Sequence, residues 1–309
     1  MGVAVSGGPD SLALLLLANA ALPGRVEAAT VDHGLRPEGA QEAAQVARIC
    51  AAIGVPHDVL RVEVGAGNLQ SRAREARYAA LGEWMAQHEI GALATAHHAD
   101  DQAETLMMRL NRGSGLAGLA GVRATGLVPG TLHVLLRPLL GWRRAELADI
   151  AAQSGFAAVH DPSNADERFD RVRMRNALAA ADWIDPAALS RSAQLLGEAN
   201  AALEWLVGEI WAADVVREGL RYRFCPKAPR FVAIEVIGRI ISELGGMASR
   251  SDIARMHDRL ATGGAASLGG VLARSDAPVS PGAPPDAPLD TPMQMPAWYF
   301  EPEPPRSLQ

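Results

Sequence analysis

Ser6-Gly7-Gly8-Pro9-Asp10-Ser11 has the bare backbone and the hydroxyls needed to hold a phosphate chain. Gly7 and Gly8 tolerate positive φ and let N–H groups approach an anion, and Ser6 and Ser11 add donors. Pro9 suits the first turn of a helix, where its missing N–H costs nothing. The hexapeptide follows an apolar run, Val3 to Val5, and precedes a Leu-rich helical run, Leu12 to Ala18. A strand therefore delivers it, and a helix N-terminus lends its partial positive charge. Alone, the same six residues also make an ordinary tight turn. A Walker loop is excluded, because it needs a lysine at the phosphates and the chain's one lysine, Lys227, lies far downstream.

Asp101 and Glu104 stand three apart at the start of a helical run, so both carboxylates project from one face. The pair suits an ammonium group or Mg²⁺, and spacing does not separate the two. Capping by Asp100 or Asp101 accounts for one acid of this set but not for all. His97 and His98 lack the spacing of paired zinc ligands, which favours structural or substrate-contact roles. Asp32-His33-Gly34-Leu35-Arg36 is a further polar cluster after an apolar run. Arg112-Gly113-Ser114-Gly115, with Gly118 and Gly121, offers a guanidinium and bare backbone to phosphate or RNA, or else serves as a helix C-cap and turn.

Arginine dominates the basic residues. Arg74 and Arg77 share a helix face beside Tyr78. The turn-rich segment 161–166 leads to Arg168, Arg171, Arg173 and Arg175, opposed within that run only by Asp170. Missing local acids make this a phosphate-contacting surface rather than a solvated helix face.

These residues need elements to bring them together. Apolar runs at Met1–Val5, Val26–Val31, Val59–Val64, Leu93–Ala96 and Val134–Leu136 alternate with helical patterns at about 38–53, 68–88 (with Asn68 as cap), 100–112 and 143–154. That alternation predicts a doubly wound parallel five-stranded α/β sheet, with ligands at the carboxyl ends of its strands. Loops after strands one, two and four carry the polar clusters and would converge on one cleft. A long amphipathic helix is expected over about 185–217 as a connector, then a small, mostly helical domain over 219–274. From Ser275 on, half of the 20 prolines fall in 35 residues, which predicts an extended tail, with Trp298-Tyr299-Phe300 docking on the body. Boundaries are thus expected at 1–182, 183–218, 219–274 and 275–309.

The chain has 309 residues, 49% hydrophobic, with net charge −6, so it is no bulk nucleic-acid coater and local clusters must carry any RNA contact. Cys50 and Cys225 rule out a disulfide framework and suit a reducing cytosol. The run Leu12–Leu22 lacks a positive leader and is too short to span a bilayer. The chain reads as cytoplasmic, with no membrane partner.

The hexapeptide resembles the pyrophosphate loop of the N-type ATP pyrophosphatases. Together with Asp32–Arg36, Asn68, Ala73-Arg74, Arg77-Tyr78, His97–Thr105, Arg112–Gly115, Gly118-Leu119, Arg137–Leu140 and Asp161–Asp166, it is similar to tRNA(Ile)-lysidine synthases over roughly residues 1–182. The resemblance implies that ATP adenylates the C2 oxygen of the wobble cytidine in a tRNA(Ile) with a CAU anticodon. Free L-lysine then attacks C2 through its side-chain amine and expels AMP. It implies ATP and Mg²⁺ as cofactors, Ser6–Ser11 on the ATP phosphates, and Asp32 near the nucleotide. It further implies Asp101 and Glu104 on the lysine, Arg112 on phosphate or tRNA, Arg74, Arg77, Arg168, Arg171, Arg173 and Arg175 on tRNA, and a small tRNA-contacting domain over 219–274. A homodimer is the assembly it leaves open. Three other readings stand beside it: another PP-loop tRNA-modifying enzyme, a metal-dependent phosphohydrolase using His33, His97, His98 and Asp101, and a non-catalytic ATP-binding module.

Overall fold

The computed structural model describes residues 1–34, 38–63, 65, 69–159, 166–276 and 296–304. Leu35 and Arg36, the cap Asn68, the segment 161–165 and most of the Pro-rich tail lie outside them. The chain divides into two compact units, Met1–Asn200 and Ala201–Gln309.

In the first unit, strands β1 (Gly2–Ala4), β2 (Glu27–Asp32), β3 (His57–Arg61), β4 (Ala92–Ala94), β5 (Thr125–Leu127) and β6 (Val134–Leu136) form one sheet in the order β3-β2-β1-β4-β6-β5. All pairs are parallel except β5 with β6. The sequence reading expects five strands. The sixth, β5, is a three-residue antiparallel edge strand, too short to leave an alternation pattern.

Alternation along β1 shows why the sheet is covered on both faces. Val3 and Val5 enter a core shared with helix α1 (Pro9–Ala21), helix α2 (Glu38–Ala52) and helix α6 (Arg144–Gln153). Ala4 belongs to a second core with Tyr78, Leu81, Trp84 and Met85 of helix α3 (Leu69–Gln87). A Cβ on Gly2 would meet the Trp84 ring at 2.8 Å, so glycine there lets α3 lie close on the sheet.

Strand order reverses between β1 and β4. From β1 the chain proceeds outward through β2 and β3, then returns to the other side of β1 as β4. The carboxyl ends of these two neighbours therefore diverge into a crevice. The hexapeptide follows β1, and Thr95-Ala96-His97-His98 follows β4 into helix α4 (Ala99–Asn111). A short helix α5 (Leu116–Leu119) occupies the glycine-rich segment, and helix α7 (Asp170–Ala180) carries most of the second arginine cluster.

Helix α8 (Pro186–Asp214) contains the division between the units. The second unit carries a sheet beside the helices expected from sequence. Strands β7 (Val215–Glu218), β8 (Arg221–Phe224), β9 (Ala265–Leu268), β10 (Val271–Ser275) and β11 (Trp298–Pro302) make an antiparallel sheet in the order β7-β8-β11-β10-β9. Helix α9 (Arg230–Glu243) and helix α10 (Arg250–Ala261) pack on one face through Ile234, Ile237, Ile241, Met256 and Leu260. Trp298 and Phe300, read from sequence as part of a docking tail, belong to the middle strand and are buried.

Candidate active site

The hexapeptide bends where its glycines allow. Gly7 takes φ +86°, and a Cβ there would also meet the Val159 side chain at 2.7 Å, so only glycine fits. The Gly7 carbonyl accepts a hydrogen bond from the Val159 N–H at 2.8 Å. Gly8 is the N-cap of α1 and Pro9 opens its first turn. The Ser11 hydroxyl accepts from the Ser6 N–H at 3.2 Å and donates to the Gly8 carbonyl at 3.0 Å, which closes the loop on itself.

A cleft of about 870 Å³ opens above this loop. Ser6, Gly8, Pro9, Asp10 and Ser11 line one side, with Asp32 at the end of β2, His33 after it, and His97 and Asp101 after β4. Phe169, Arg171 and Arg175 form its far wall. Loops after strands one, two and four thus meet, as the sequence reading expects. Gly7 and Glu104 are not among the residues that line it, and the Glu104 side chain is 2% exposed.

Helix α4 does more than present two acids. Its N-cap is His98, not Asp100 or Asp101: the His98 Nδ1 accepts from the Asp101 N–H at 3.4 Å, and an Asp101 oxygen accepts from the His98 N–H at 3.1 Å. His98 is 1% exposed, with Nε2 3.5 Å from Asp10 of the phosphate loop. Asp100 turns away from the cleft to accept from the Arg144 N–H at 2.8 Å and from the Arg143 guanidinium, tying α4 to α6. Burial would raise the Asp100 pKa, but the Arg144 N–H and Arg143 outweigh it and hold the carboxyl below its ordinary range.

Asp101 and Glu104 do lie together, but each already receives a guanidinium. Arg171 donates to Glu104 at 2.8 Å and to Asp101 at 2.9 Å, and Arg175 donates to the other Glu104 oxygen at 2.8 Å. Arg144 approaches the same Glu104 oxygen at 3.7 Å. Burial would raise the Asp101 pKa, yet His98, Arg171 and His97 together lower it. For Arg171 burial is likewise outweighed, here by Asp101 and Glu104, and its pKa is raised.

The four-arginine run is therefore not a patch without acids. Arg168 pairs with Asp166 at 2.6 Å, Arg173 with Asp170, and Arg171 and Arg175 with α4. Counting charges within residues 168–175 missed acids that the fold supplies from elsewhere. Asp170 also meets Arg112 at 3.3 Å, which brings the end of α4 to the start of α7.

A second cavity of about 730 Å³ is lined by Arg74, Arg77, Arg112, Arg168 and Arg171, with Met108 and Phe169. His33, Ala73, Arg77, Phe169 and Arg171 line both cavities, so the two adjoin. Arg74 and Arg77 stack over Tyr78 at 5.0 and 4.9 Å, and the Arg77 Nε is buried without a hydrogen-bond partner. His33 is held neutral by burial and then by Arg77, and its Nδ1 is also unpartnered. His97 accepts or donates a 3.0 Å hydrogen bond with Thr95, and burial, reinforced by Arg137, Arg171 and Arg77 against Asp101, lowers its pKa to about 4.

Sequence reasoning missed three groups that shape this site: Arg144, Phe169 and Gln102. The buried Gln102 amide grips the Val122 backbone from both sides, at 2.6 and 2.7 Å, and so fixes the glycine-rich segment. A glutamine between two acids at the start of a helical run was the available signal.

Residues 1–181 match the family model described as a PP-loop domain. A tRNA(Ile)-lysidine synthase of Novosphingobium aromaticivorans is 49% identical over 273 residues, covering 87% of this chain and 84% of that protein. One of Zymomonas mobilis is 45% identical over 245 residues, covering 78% and 73%. Among solved structures, the U34-tRNA thiolase of Methanococcus maripaludis superposes with a TM-score of 0.54 at 19% identity, over 64% of this chain and 71% of that one, which is a likeness of fold.

Proposed function

Since this chain belongs to the tRNA(Ile)-lysidine synthases of the PP-loop family, we propose that its cleft joins free L-lysine to C2 of the wobble cytidine of a CAU-anticodon tRNA(Ile), using ATP. One observation carries this reading: the phosphate loop at Gly8–Ser11 and the carboxylate of Asp101 line one cleft at the strand-order reversal. That juxtaposition suits an ATP whose α-phosphate must meet a second substrate, followed by an amine.

The loop's N–H groups, the Ser6 hydroxyl and the α1 N-terminus bind the phosphates. Asp32, fixed by the Gly34 N–H at 3.0 Å, lies along the nucleotide. The adjoining cavity receives the anticodon, with Arg74, Arg77, Arg112 and Arg168 on RNA phosphates. Lysine's ε-ammonium exchanges for a guanidinium on Asp101 and Glu104, one cation for another, so the buried carboxylates stay compensated. His97, neutral at physiological pH, lines the cleft without adding charge against that ammonium.

Mg²⁺ fits this set of donors. The Asp10 Oδ1 is buried and has no hydrogen-bond partner, a hard oxygen left open at the loop's mouth. No group of three His, Cys, Asp or Glu gathers into a metal cage among the described residues. That suits an ion sharing its shell with phosphate and water, with Asp10 as the protein ligand. When bound, the ion neutralises phosphate charge. A phosphohydrolase reading needs His98 as a ligand, and His98 is committed to capping α4 and to Asp10.

No helix among the described residues is long and apolar enough to cross a membrane, and the cytoplasm is where we place a protein acting on tRNA with ATP. Incubation with labelled lysine, ATP and a tRNA(Ile) transcript tests the reading, label being expected in RNA with release of AMP and pyrophosphate. Asp101→Asn should raise the lysine KM at least tenfold while tRNA-dependent ATP–pyrophosphate exchange continues. Loss of exchange in step with lysine use would overturn the assignment of Asp101.

A further inference from the structure

The residues that line both cavities of the first unit are His33, Ala73, Arg77, Phe169 and Arg171. Arg171 is engaged by Asp101 and Glu104, and Arg77 lies over the Tyr78 ring. His33 and Phe169 are therefore the two rings at the place where the cavities meet. Beyond them the phosphate loop lies on one side and Arg74, Arg112 and Arg168 on the other. A ligand spanning both cavities would carry anionic groups at its ends and a flat, uncharged body beside the rings. An extruded nucleobase has that character.

His33 stands at the carboxyl end of β2, where Asp32 accepts from the Gly34 N–H and Gly34 turns the chain with φ +61°. Burial lowers its pKa below the ordinary 6.5, and Arg77 lowers it further against the opposing Asp32, so the ring is neutral at physiological pH. A neutral imidazole has one N–H. Nδ1 is enclosed without a hydrogen-bond partner, and an orphaned N–H is less well tolerated than an orphaned acceptor. The proton therefore sits on Nε2, which is not enclosed in this way. His33 thus offers the cavities a single uncharged donor.

Cytosine presents O2 and N3 as acceptors and its 4-amino group as a donor, whereas uracil carries a hydrogen on N3. The amino group does not accept an N–H, and O2 must stay open for the AMP it receives. N3 is the atom left for His33. On uracil the same N–H would face another N–H, leaving two donors unpaired.

We propose that the His33 Nε2–H donates to N3 of the wobble cytosine while Phe169 stacks on the base, so that His33 is the residue that refuses uridine. The proposal rests on the ligase reading above and adds how its base is chosen.

Filter binding of the full chain to tRNA(Ile) transcripts with cytidine or uridine at the wobble position tests it without requiring turnover. The unaltered protein should bind the cytidine transcript about tenfold more tightly. His33→Ala should cost the cytidine transcript about tenfold and leave the uridine transcript where it was. A glutamine amide turns either N–H or C=O to a base, so His33→Gln should keep cytidine binding within about threefold and tighten uridine binding about tenfold. Damage to the loop would not produce that gain. Phe169→Ala should weaken both transcripts by one factor, about tenfold, because stacking is sequence-tolerant. No preference in the unaltered protein, or an unchanged preference in both His33 variants, would overturn the proposal and leave the ligase reading intact. A loss in Phe169→Ala confined to one transcript would overturn the stacking role. Failure of the unaltered protein to put lysine into RNA would sink the ligase reading, and base selection by His33 with it.

Discussion

Glu104 sits at the centre of the site's charge network, and its environment decides what a substitution there measures. Its carboxylate is 2% exposed and receives Arg171 and Arg175 through separate oxygens. Removing it leaves two guanidinium groups without that partner, although Arg171 keeps Asp101 and is 43% exposed. Breaking a buried pair costs about 3–5 kcal/mol, and the partial exposure of both arginines puts this case at the lower end. Glu104→Ala should therefore lower the urea midpoint visibly and loosen α7, so its activity loss mixes stability with lysine binding. An unchanged denaturation curve would show that the arginines find new partners freely. Asp101, which keeps a backbone hydrogen bond from His98, is the cleaner probe of amine binding.

Among elements, α4 is the one that the others are fastened to. Asp100 holds α6, Asp101 and Glu104 hold α7, and Gln102 holds the glycine-rich segment. These ties give a definite response to acid. Asp100 and Asp101 have folded pKa values below the ordinary 3.8, so their stabilisation is present above that pH and is lost as pH falls through the folded values. His97, at the entry to α4, acts earlier. Its folded pKa is about 4 against 6.5 for the free side chain, so between these values the unfolded chain binds the extra proton. Stability should fall as pH drops from about 6.5 to 4, by at most about 1.4 kcal/mol per pH unit from this one group. Urea midpoints across pH 4 to 8 should show that decline, and His97→Gln should flatten it. A His97→Gln variant with the same slope would place the titration elsewhere.

At the scale of the whole molecule, the two units depend on the sequence in different ways. In the first, every strand but the short edge strand β5 is announced by its own apolar stretch of chain. In the second, the middle strand β11 comes from residues 298–302 and completes a sheet begun at residue 215. Ending the chain after Ser275 would strip Trp298 and Phe300 from the core and leave β8 and β10 without their shared partner. Such a chain should lose protection of β8 and β10 amides in hydrogen exchange and expose apolar surface to dye. Retained protection there would mean that the two strands pair directly.

The amino-acid sequence by itself determined the phosphate loop, the alternation that makes a parallel sheet, and the convergence of three loops. Each of these is written in contiguous residues: glycines where φ is positive, apolar runs of strand length, and helix starts directly after them. Tertiary structure alone decided which charges are free. Arg171 and Arg175 look unopposed within residues 168–175 because their acids, Asp101 and Glu104, lie about seventy residues earlier. It also decided the place of Trp298-Tyr299-Phe300, which lies in a Pro-rich stretch between Pro296 and Pro302 and whose neighbours in the sheet are β8 and β10. Local composition sets what a segment can become, but ion pairing and strand pairing are settled between segments, where only the folded chain brings opposite charges and open edges into reach.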